Sequence, residues 1–412
     1  MPRPQALRCV LCGKTFEPAA DMYTCPVCGP DGTLDVLYDC QSLRSRVTRD
    51  TFSETGDRSL WRYRAILPVE NDNNIPGLQA GWTPLYEAPA TASEYGVGSL
   101  FIKDDGRNPT ASFKDRASAV GVAKALDAGK SVVSCASTGN AASSLAGFAA
   151  VAGLKSVIFV PERAPVAKVA QLLVYGARVV LVQGDYADTF DLAAAAIEHW
   201  GWYNRNCAIN PYLVEGKKTA ALEIAEQMNW NVPDRVVIAV GDGCCISGLY
   251  KGFSDLYELG LIDRIPVITG VQAEGAQPIC RAVCAGADRV EFGPADTLAD
   301  SISVGAPRNW AKALRSVRNT NGDMVAVSDD EILAAIPQLA RATGVFAEPA
   351  AAAAFAGFTK MARDGFLKAA ERVVVVVTGN GLKDIAGARR SVGEPMTVEP
   401  SLDELVSLFD VV

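Results

Sequence analysis

The sequence predicts an α/β protein built from βαβ units around parallel sheets. Short β-branched runs recur at 99–103 (SLFIK), 131–135 (SVVSC), 156–160 (SVIFV), 178–182 (RVVLV), 236–240 (VVIAV), 267–271 (VITGV) and 373–377 (VVVVV). They are continuously apolar and do not alternate, which is the pattern of strands buried on both faces. Ala-rich stretches of helical length separate them at 140–152, 163–176, 187–200, 217–229 and 348–363, and this alternation specifies parallel pairing. A length of 412 residues with 49% hydrophobic content supplies two or three cores.

Along the chain, residues 1–40 form a first unit. Cys9-x2-Cys12 and Cys25-x2-Cys28 are two knuckles with twelve residues between them. Such a pair can close a tetrahedral thiolate shell, the preference of structural zinc, and a four-cysteine site is closed to substrate. Oxidised pairs or a ribbon without metal are the alternatives. Residues 41–98 are irregular, rich in Arg, Asp, Asn, Pro and Gly, and end in the extended connector "GWTPLYEAP". The alanines at 350–354 express helix propensity. "SLDELVSLF" near the C-terminus has the apolar spacing of a short amphipathic helix that docks on the body.

Composition removes several function classes. A net charge of −8 without a basic cluster argues against nucleic acid or a polybasic membrane contact. No apolar run approaches the roughly 20 residues that span a bilayer, and the N-terminus lacks a signal-peptide core. A cytoplasmic protein is expected. Eleven cysteines without an export signal read as thiols, not as a disulfide framework. The single histidine, His199, sits at the end of a helical pattern, where a partial positive charge suits the dipole. One histidine leaves little room for Ser-His-Asp hydrolysis.

In parallel sheets ligands bind beyond the carboxyl ends of strands, so the loops after the strands carry the chemistry. "NPTASFKDR" places Lys114 behind a turn-forming Asn-Pro-Thr. After 131–135 comes "STGN", and Ser137, Thr138, Gly139 and Asn140 can hold a carboxylate at a helix N-terminus, or simply cap it. After 236–240 comes "GDGCCISG", a glycine cup in which Gly241, Asp242, Gly243, Cys244 and Cys245 open a helix; it is neither a Walker loop nor a dinucleotide fingerprint. After 373–377 comes "TGNGLKD", where Thr378 can present a hydroxyl to a ring nitrogen. A lysine, an Asn-bearing turn, a phosphate cup and a strand-end threonine are together what pyridoxal phosphate needs.

These segments resemble the fold-type II pyridoxal-phosphate enzymes of the tryptophan synthase β family, with closest likeness to the threonine synthases. The likeness runs through nearly all of 80–390 and includes "GWTPLYEAP", "NPTASFKDR", "STGNAASSLAGFAAVAGL", "EGKKTAALEIAEQ", "GVQAEGAQPI", "ISVGAPRNWAKALRSVR", "GVFAEPAAAAAFAG" and "VVVVVTGNGLKD". It implies two doubly wound parallel-sheet domains behind a small zinc-ribbon-like segment. Residues 99–215 would be mostly the small mobile domain, 216–390 the large cofactor-binding domain and 391–412 a tail helix. Lys114 would be the Schiff-base lysine and proton shuttle. Phe113 would pack beside the cofactor, Asn140 would bond its 3′-oxygen, Gly241 to Cys245 would cradle its phosphate and Thr378 would face its pyridine nitrogen. Ser137, Thr138 and Asn140 would receive the substrate carboxylate, with Ser112 also in the substrate site. Lys103 and Lys218, the latter matching the lysine of the family's "EGQKT", would face a substrate phosphate. The implied partners are a small amino-acid substrate and a second copy of the chain in a homodimer.

The implied reaction converts O-phosphohomoserine and water to threonine and phosphate. Two departures bear on that substrate. Leu213 stands where the family often has a phosphate-binding arginine, and the helix after 156–160 opens with "PERAPVAKVA", leaving Arg163 and Lys168 in place of a Gly-Lys pair. Replacing a bidentate arginine by leucine lowers phosphate affinity. Ala111 stands where the family often has glycine. The alternatives are a paralogue on the same scaffold (β-replacement on O-phosphoserine, serine or threonine deamination, or cleavage of a 2-amino-4-keto acid) and a non-catalytic zinc-ribbon protein on a retired scaffold.

Overall fold

The computed structural model describes residues 4–164, 166–184 and 186–409. Strands β1 (Ala6–Cys9), β2 (Thr15–Phe16), β3 (Thr24–Cys25) and β4 (Gly29–Leu37) form an antiparallel sheet in the order β2-β1-β4-β3. Two further sheets make the body. The larger joins β5 (Leu85–Glu87), β6 (Ser99–Asp104), β11 (Arg235–Ala239), β12 (Val267–Ala273), β13 (Met324–Val327) and β14 (Arg372–Val377) in the order β13-β12-β11-β14-β6-β5. Only the edge pair β5–β6 is antiparallel. The smaller joins β7 (Val132–Ala136), β8 (Lys155–Pro161), β9 (Arg178–Val182) and β10 (Tyr203–Asn204), all parallel, in the order β10-β7-β8-β9.

All seven strands expected from the apolar runs form. Their grouping differs from the expected division. β6 pairs with β14 from Ser99↔Arg372 to Asp104↔Val377, so residues 99–104 belong to the large sheet and the small sheet occupies 132–204. The chain therefore starts in the large sheet, leaves it for the small one and returns at β11. An apolar strand reads the same whichever sheet receives it, so the runs alone do not reveal this.

Helices cover both faces of the large sheet. Helix Pro349–Arg363 starts on a proline at its first turn, and its alanines 350–354 are all buried. A Cβ on Gly357 would lie 2.4 Å from Val271 on β12, so the alanine run is a small-residue packing surface as well as a helix former. On the other face, helices Lys114–Asp127, Tyr212–Gln227 and Cys244–Glu258 pack closely enough that a Cβ on Gly216 would fall 2.0 Å from the Arg116 carbonyl oxygen.

The N-terminal sheet docks on this helical layer. Tyr38 donates to Glu215 (2.7 Å), Lys312 donates to the Leu34 carbonyl (2.6 Å), and Asp35 pairs with Lys312 (3.3 Å) and Arg315 (2.7 Å). The tail helix Leu402–Phe409 forms, but it does not dock as expected: Leu402, Leu405 and Phe409 are exposed. Residues 392–401 leading to it also lie exposed.

Candidate active site

The carboxyl ends of β6, β7, β11 and β14 converge on one cleft between the two parallel sheets. Its main chamber holds about 570 Å³ and is walled by Lys114, Ser137, Thr138, Asn140, Arg205 and Arg308 among others. A side chamber of about 410 Å³ shares Thr138, Asn140 and Ser301 with it. A narrow extension reaches Gly241 to Cys245, Glu348 and Thr378.

Lys114 opens its helix from a loop held at both ends. Phe113 donates its amide to the Thr378 carbonyl (2.8 Å), Asn380 donates to the Ala111 carbonyl (3.1 Å), and Ser112 bridges Gly379. These contacts place Lys114 and Thr378 in the same site although 264 positions separate them. On the far side Asp115 accepts from the Thr110 amide (2.6 Å) and from its hydroxyl. Arg116, fully buried, donates to Asp105 (2.6 Å) and Glu223 (2.5 Å). Ala111 takes φ +66°, a left-handed conformation costly for any residue with a Cβ.

Lys114 Nζ lies 3.8 Å from Cys245 Sγ. Burial disfavours its charge, yet the neighbouring thiols of Cys245, Cys207 and Cys244 and the Glu348 carboxylate raise its pKa on balance. Gly243 has φ +90° at the start of helix Cys244–Glu258, so the backbone amides of the first turn face the cleft without intrahelical acceptors. Asp242 is raised by burial, while its carboxylate accepts from the Arg308 amide (3.2 Å). Asn140 donates to Glu348 (2.8 Å), and burial raises the Glu348 carboxyl.

Most of the residues expected in the site line the cleft: Lys114, Ser137, Thr138, Asn140, Gly241 to Cys245 and Thr378. Phe113 is fully buried beneath the lysine, its ring 5.6 Å from the Arg116 guanidinium. Three expectations are corrected. Lys103 shares the face of β6 with Phe101 and points into the helical layer, where it is fully buried and donates to Glu223 (2.7 Å), the Thr83 carbonyl and Gln227. Lys218 is caged by Glu215 (2.5 Å) and Asp255 (2.7 Å) under the Tyr38 ring. Ser112 is fully buried, its oxygen accepting from the Lys114 amide (3.4 Å). All three support the scaffold outside the cleft. Of the two stand-ins, Lys168 lines the side chamber and pairs with Asp300, whereas Arg163 is exposed.

The structure adds residues that sequence reasoning did not single out. Glu348, Arg205, Cys207 and Arg308 line the cleft. Glu348 and Arg308 fall inside quoted motifs, but only the fold turns them inward. Arg308 sits 3.8 Å over the Phe190 ring. Leu213 is fully buried and packs on Gly121, so it offers the cleft nothing.

The residues present fit pyridoxal phosphate: a lysine on the cleft wall, an amide-lined helix start on a glycine turn, and a hydroxyl at a strand end. The four N-terminal cysteines fit a metal. Their sulfurs all lie within 4.8 Å of one another, with Cys12 and Cys25 3.8 Å apart. That is the sulfur spacing of a tetrahedral shell with bonds of about 2.3 Å, and it is too long for a disulfide.

Comparison with known proteins agrees with this geometry. Residues 77–379 match the family described as "Pyridoxal-phosphate dependent enzyme". The chain is 40% identical to a threonine synthase of Methanocaldococcus jannaschii over 400 residues, covering 97% of this chain and 98% of that one. It is also 40% identical to a threonine synthase of Methanosarcina acetivorans over 402 residues, 97% of each. Among solved structures, threonine deaminase isoform 2 of Solanum lycopersicum superposes with a TM-score of 0.64 at 25% identity, covering 72% of this chain and 78% of that one.

Proposed function

Since the chain belongs to the pyridoxal-phosphate dependent enzyme family and aligns end to end with its threonine synthases, we propose that it is a lyase converting O-phosphohomoserine and water to threonine and inorganic phosphate. The observation that carries the reading is the shared cleft wall of Lys114, Asn140, the Gly241–Cys245 turn and Thr378, with Arg205 and Arg308 lining the same cleft.

Bound there, pyridoxal phosphate withdraws electrons from the substrate's α carbon. Lys114 would hold it, Gly241 to Cys245 would receive its phosphate on backbone amides, and Thr378 would meet its ring nitrogen. A hydroxyl, unlike a carboxylate, leaves that nitrogen uncharged and moderates the electron withdrawal. The amine of Lys114 would take the proton from Cα and return one. Ser137, Thr138 and Asn140 open helix Asn140–Val151 and suit a substrate carboxylate. Arg205 and Arg308 stabilise the charge on a leaving phosphate. The Cys9, Cys12, Cys25, Cys28 cluster would hold a structural zinc away from the cleft. The eleven cysteines are all free thiols, which suits a cytoplasmic enzyme, and we expect a homodimer, to be read by sedimentation.

The decisive experiment incubates cofactor-loaded protein with O-phosphohomoserine, and separately with O-phosphoserine plus sulfite, following phosphate and amino-acid products. Threonine formed in step with phosphate, and lost in Lys114→Ala, is the expected result. A protein that retains the cofactor's visible absorbance but leaves O-phosphohomoserine unchanged would sink the assignment.

A further inference from the structure

Three thiols meet where the cleft narrows towards the Gly241–Cys245 turn. Cys207, Cys244 and Cys245 line the narrow extension together with Lys114, and Cys207 also walls the main chamber, where it keeps partial exposure. They arrive from opposite sides. Cys207 follows β10 of the small sheet, whereas Cys244 opens helix Cys244–Glu258 behind β11 of the large one. Each sits on pinned backbone. The Asn206 side chain accepts from the Ala136 amide (2.9 Å), the Asn206 amide donates to the Asn204 side chain (2.9 Å), and Ala208 takes φ +70°. On the other side Gly243 takes φ +90°, and the Asn309 amide donates to the Asp242 carbonyl (3.1 Å).

The three sulfurs have different surroundings. Arg205 donates to Cys207 Sγ (3.1 Å), and its other partners among the described residues are Ser118 Oγ (3.0 and 3.2 Å) and the Lys114 carbonyl (3.4 Å), neither of them charged. A guanidinium beside a sulfur stabilises its thiolate. A hydrogen bond from the Cys244 thiol, then Lys217, Arg205 and Lys114, hold Cys207 well below the ordinary thiol range against the effect of burial. Cys244 moves the other way, first through that hydrogen bond and then through burial, so the pair is one thiolate and one thiol. Adjacent residues on a helix point about 100° apart; Cys244 meets Cys207, while Cys245 meets Lys114 Nζ (3.8 Å). Cys135 walls the main chamber as well, but burial pushes its thiol up to about 12 and keeps it protonated. An accessible thiolate beside a second thiol is the arrangement that hydroperoxides oxidise first.

We propose that Cys207 and Cys244 are a hydroperoxide-sensitive pair, Cys207 the attacking sulfur and Cys244 the resolving one, whose disulfide ties the loop after β10 to the cofactor's phosphate cup. The Cys207 thiolate attacks one oxygen of the peroxide, the O–O bond breaks, and the other oxygen leaves as water or an alcohol after taking a proton from solvent. Cys207 becomes a sulfenic acid. The Cys244 sulfur then attacks Cys207, the S–O bond breaks, and water leaves with the Cys244 proton. The two sulfurs give up two electrons, and the hydroperoxide takes both. The cross-link fixes the first residue of the helix whose amides face the cofactor's phosphate, so oxidation weakens cofactor binding until a dithiol reductant restores both thiols. None of these steps depends on which substrate the cleft takes.

The test treats the holoenzyme with hydrogen peroxide, maps its peptides by mass spectrometry and titrates its thiols. Outside Cys9, Cys12, Cys25 and Cys28, one cross-link is expected, Cys207 to Cys244, lighter by two hydrogens and reversed by dithiothreitol. Cys207 should react about tenfold or more faster than Cys135. In Cys207→Ser the same treatment should leave Cys244 a free thiol; the wild-type map decides the pairing even if that variant does not fold. Cross-linked protein, stripped of cofactor and reconstituted, should bind pyridoxal phosphate more weakly, with dithiothreitol restoring the affinity. Oxidation of Cys207 to sulfinic acid with Cys244 unlinked, or a cross-link from either sulfur to Cys245, overturns the pair. A Cys207 no more reactive than Cys135 overturns its attacking role. Unchanged cofactor affinity in cross-linked protein overturns the coupling to the cup.

Discussion

Replacing Glu223 by glutamine tests the buried charge network that sets the position of Lys114. Glu223 has no exposed surface and accepts from Arg116 (2.5 and 2.8 Å), Lys103 (2.7 Å) and the Thr83 amide (3.2 Å). Burial opposes its ionisation, but Arg116 and Lys103 hold it at about 2 instead of the ordinary 4.5. At about 1.4 kcal/mol per tenfold, that difference corresponds to about 3 kcal/mol, which agrees with the roughly 3–5 kcal/mol lost when one member of a buried pair is removed. Arg116, whose pKa is raised despite burial, gains from the pairing, whereas Lys103 is lowered by its own burial. The Arg116–Glu223 contact is therefore the one that stabilises.

The sign is set by a folded-state pKa below the unfolded one. The contribution is complete above pH 4.5, falls as the pH drops towards 2, and is gone below it. Urea denaturation followed by circular dichroism should show Glu223→Gln less stable by about 3 kcal/mol at pH 7, with the gap narrowed to roughly half at pH 3. Because Arg116 lies two residues from Lys114, the variant should also bind cofactor more weakly. Equal stability at pH 7, or a gap that does not narrow in acid, would refute the reasoning.

Further predictions concern other parts of the structure. Ala111→Gly relieves a left-handed residue at φ +66°; the strain of about 1–2 kcal/mol less the entropy of glycine leaves a gain of up to ~1 kcal/mol, and a fall in melting temperature would contradict it. Gly243→Ala puts a Cβ 2.8 Å from Ala313 and 3.0 Å from the Asn309 carbonyl at φ +90°. Strain of about 1–3 kcal/mol at the cup should weaken pyridoxal phosphate about tenfold or more, as fluorescence titration of the apoprotein would show; unchanged affinity would argue that the phosphate sits elsewhere. Elemental analysis should find one zinc per chain, and Cys12→Ser should remove it. Because the N-terminal sheet is anchored through Lys312, Arg315 and Glu215, zinc loss should lower the melting temperature while the cofactor's absorbance persists. A metal-free protein with intact stability would refute the site.

The sequence by itself determined the chemistry on offer. Seven apolar runs announced seven strands because strands buried on both faces must be apolar throughout. The loops after four of them held Lys114, Asn140, Gly241 to Cys245 and Thr378, because chemistry in parallel sheets gathers beyond the carboxyl ends. The spacing of the cysteine knuckles alone predicted that the four sulfurs gather. Local motifs do not state which way a side chain faces, and that was left to tertiary structure. Lys103 and Lys218 look like substrate ligands in the sequence, but strand pleat and helix phase aim them at Glu223, Glu215 and Asp255. The division into sheets was equally hidden, because β6 is assigned by its pairing with β14 on the far side of the sequence. Charge pairing and strand partnership are set by contacts between distant segments, and only the folded chain brings those segments together.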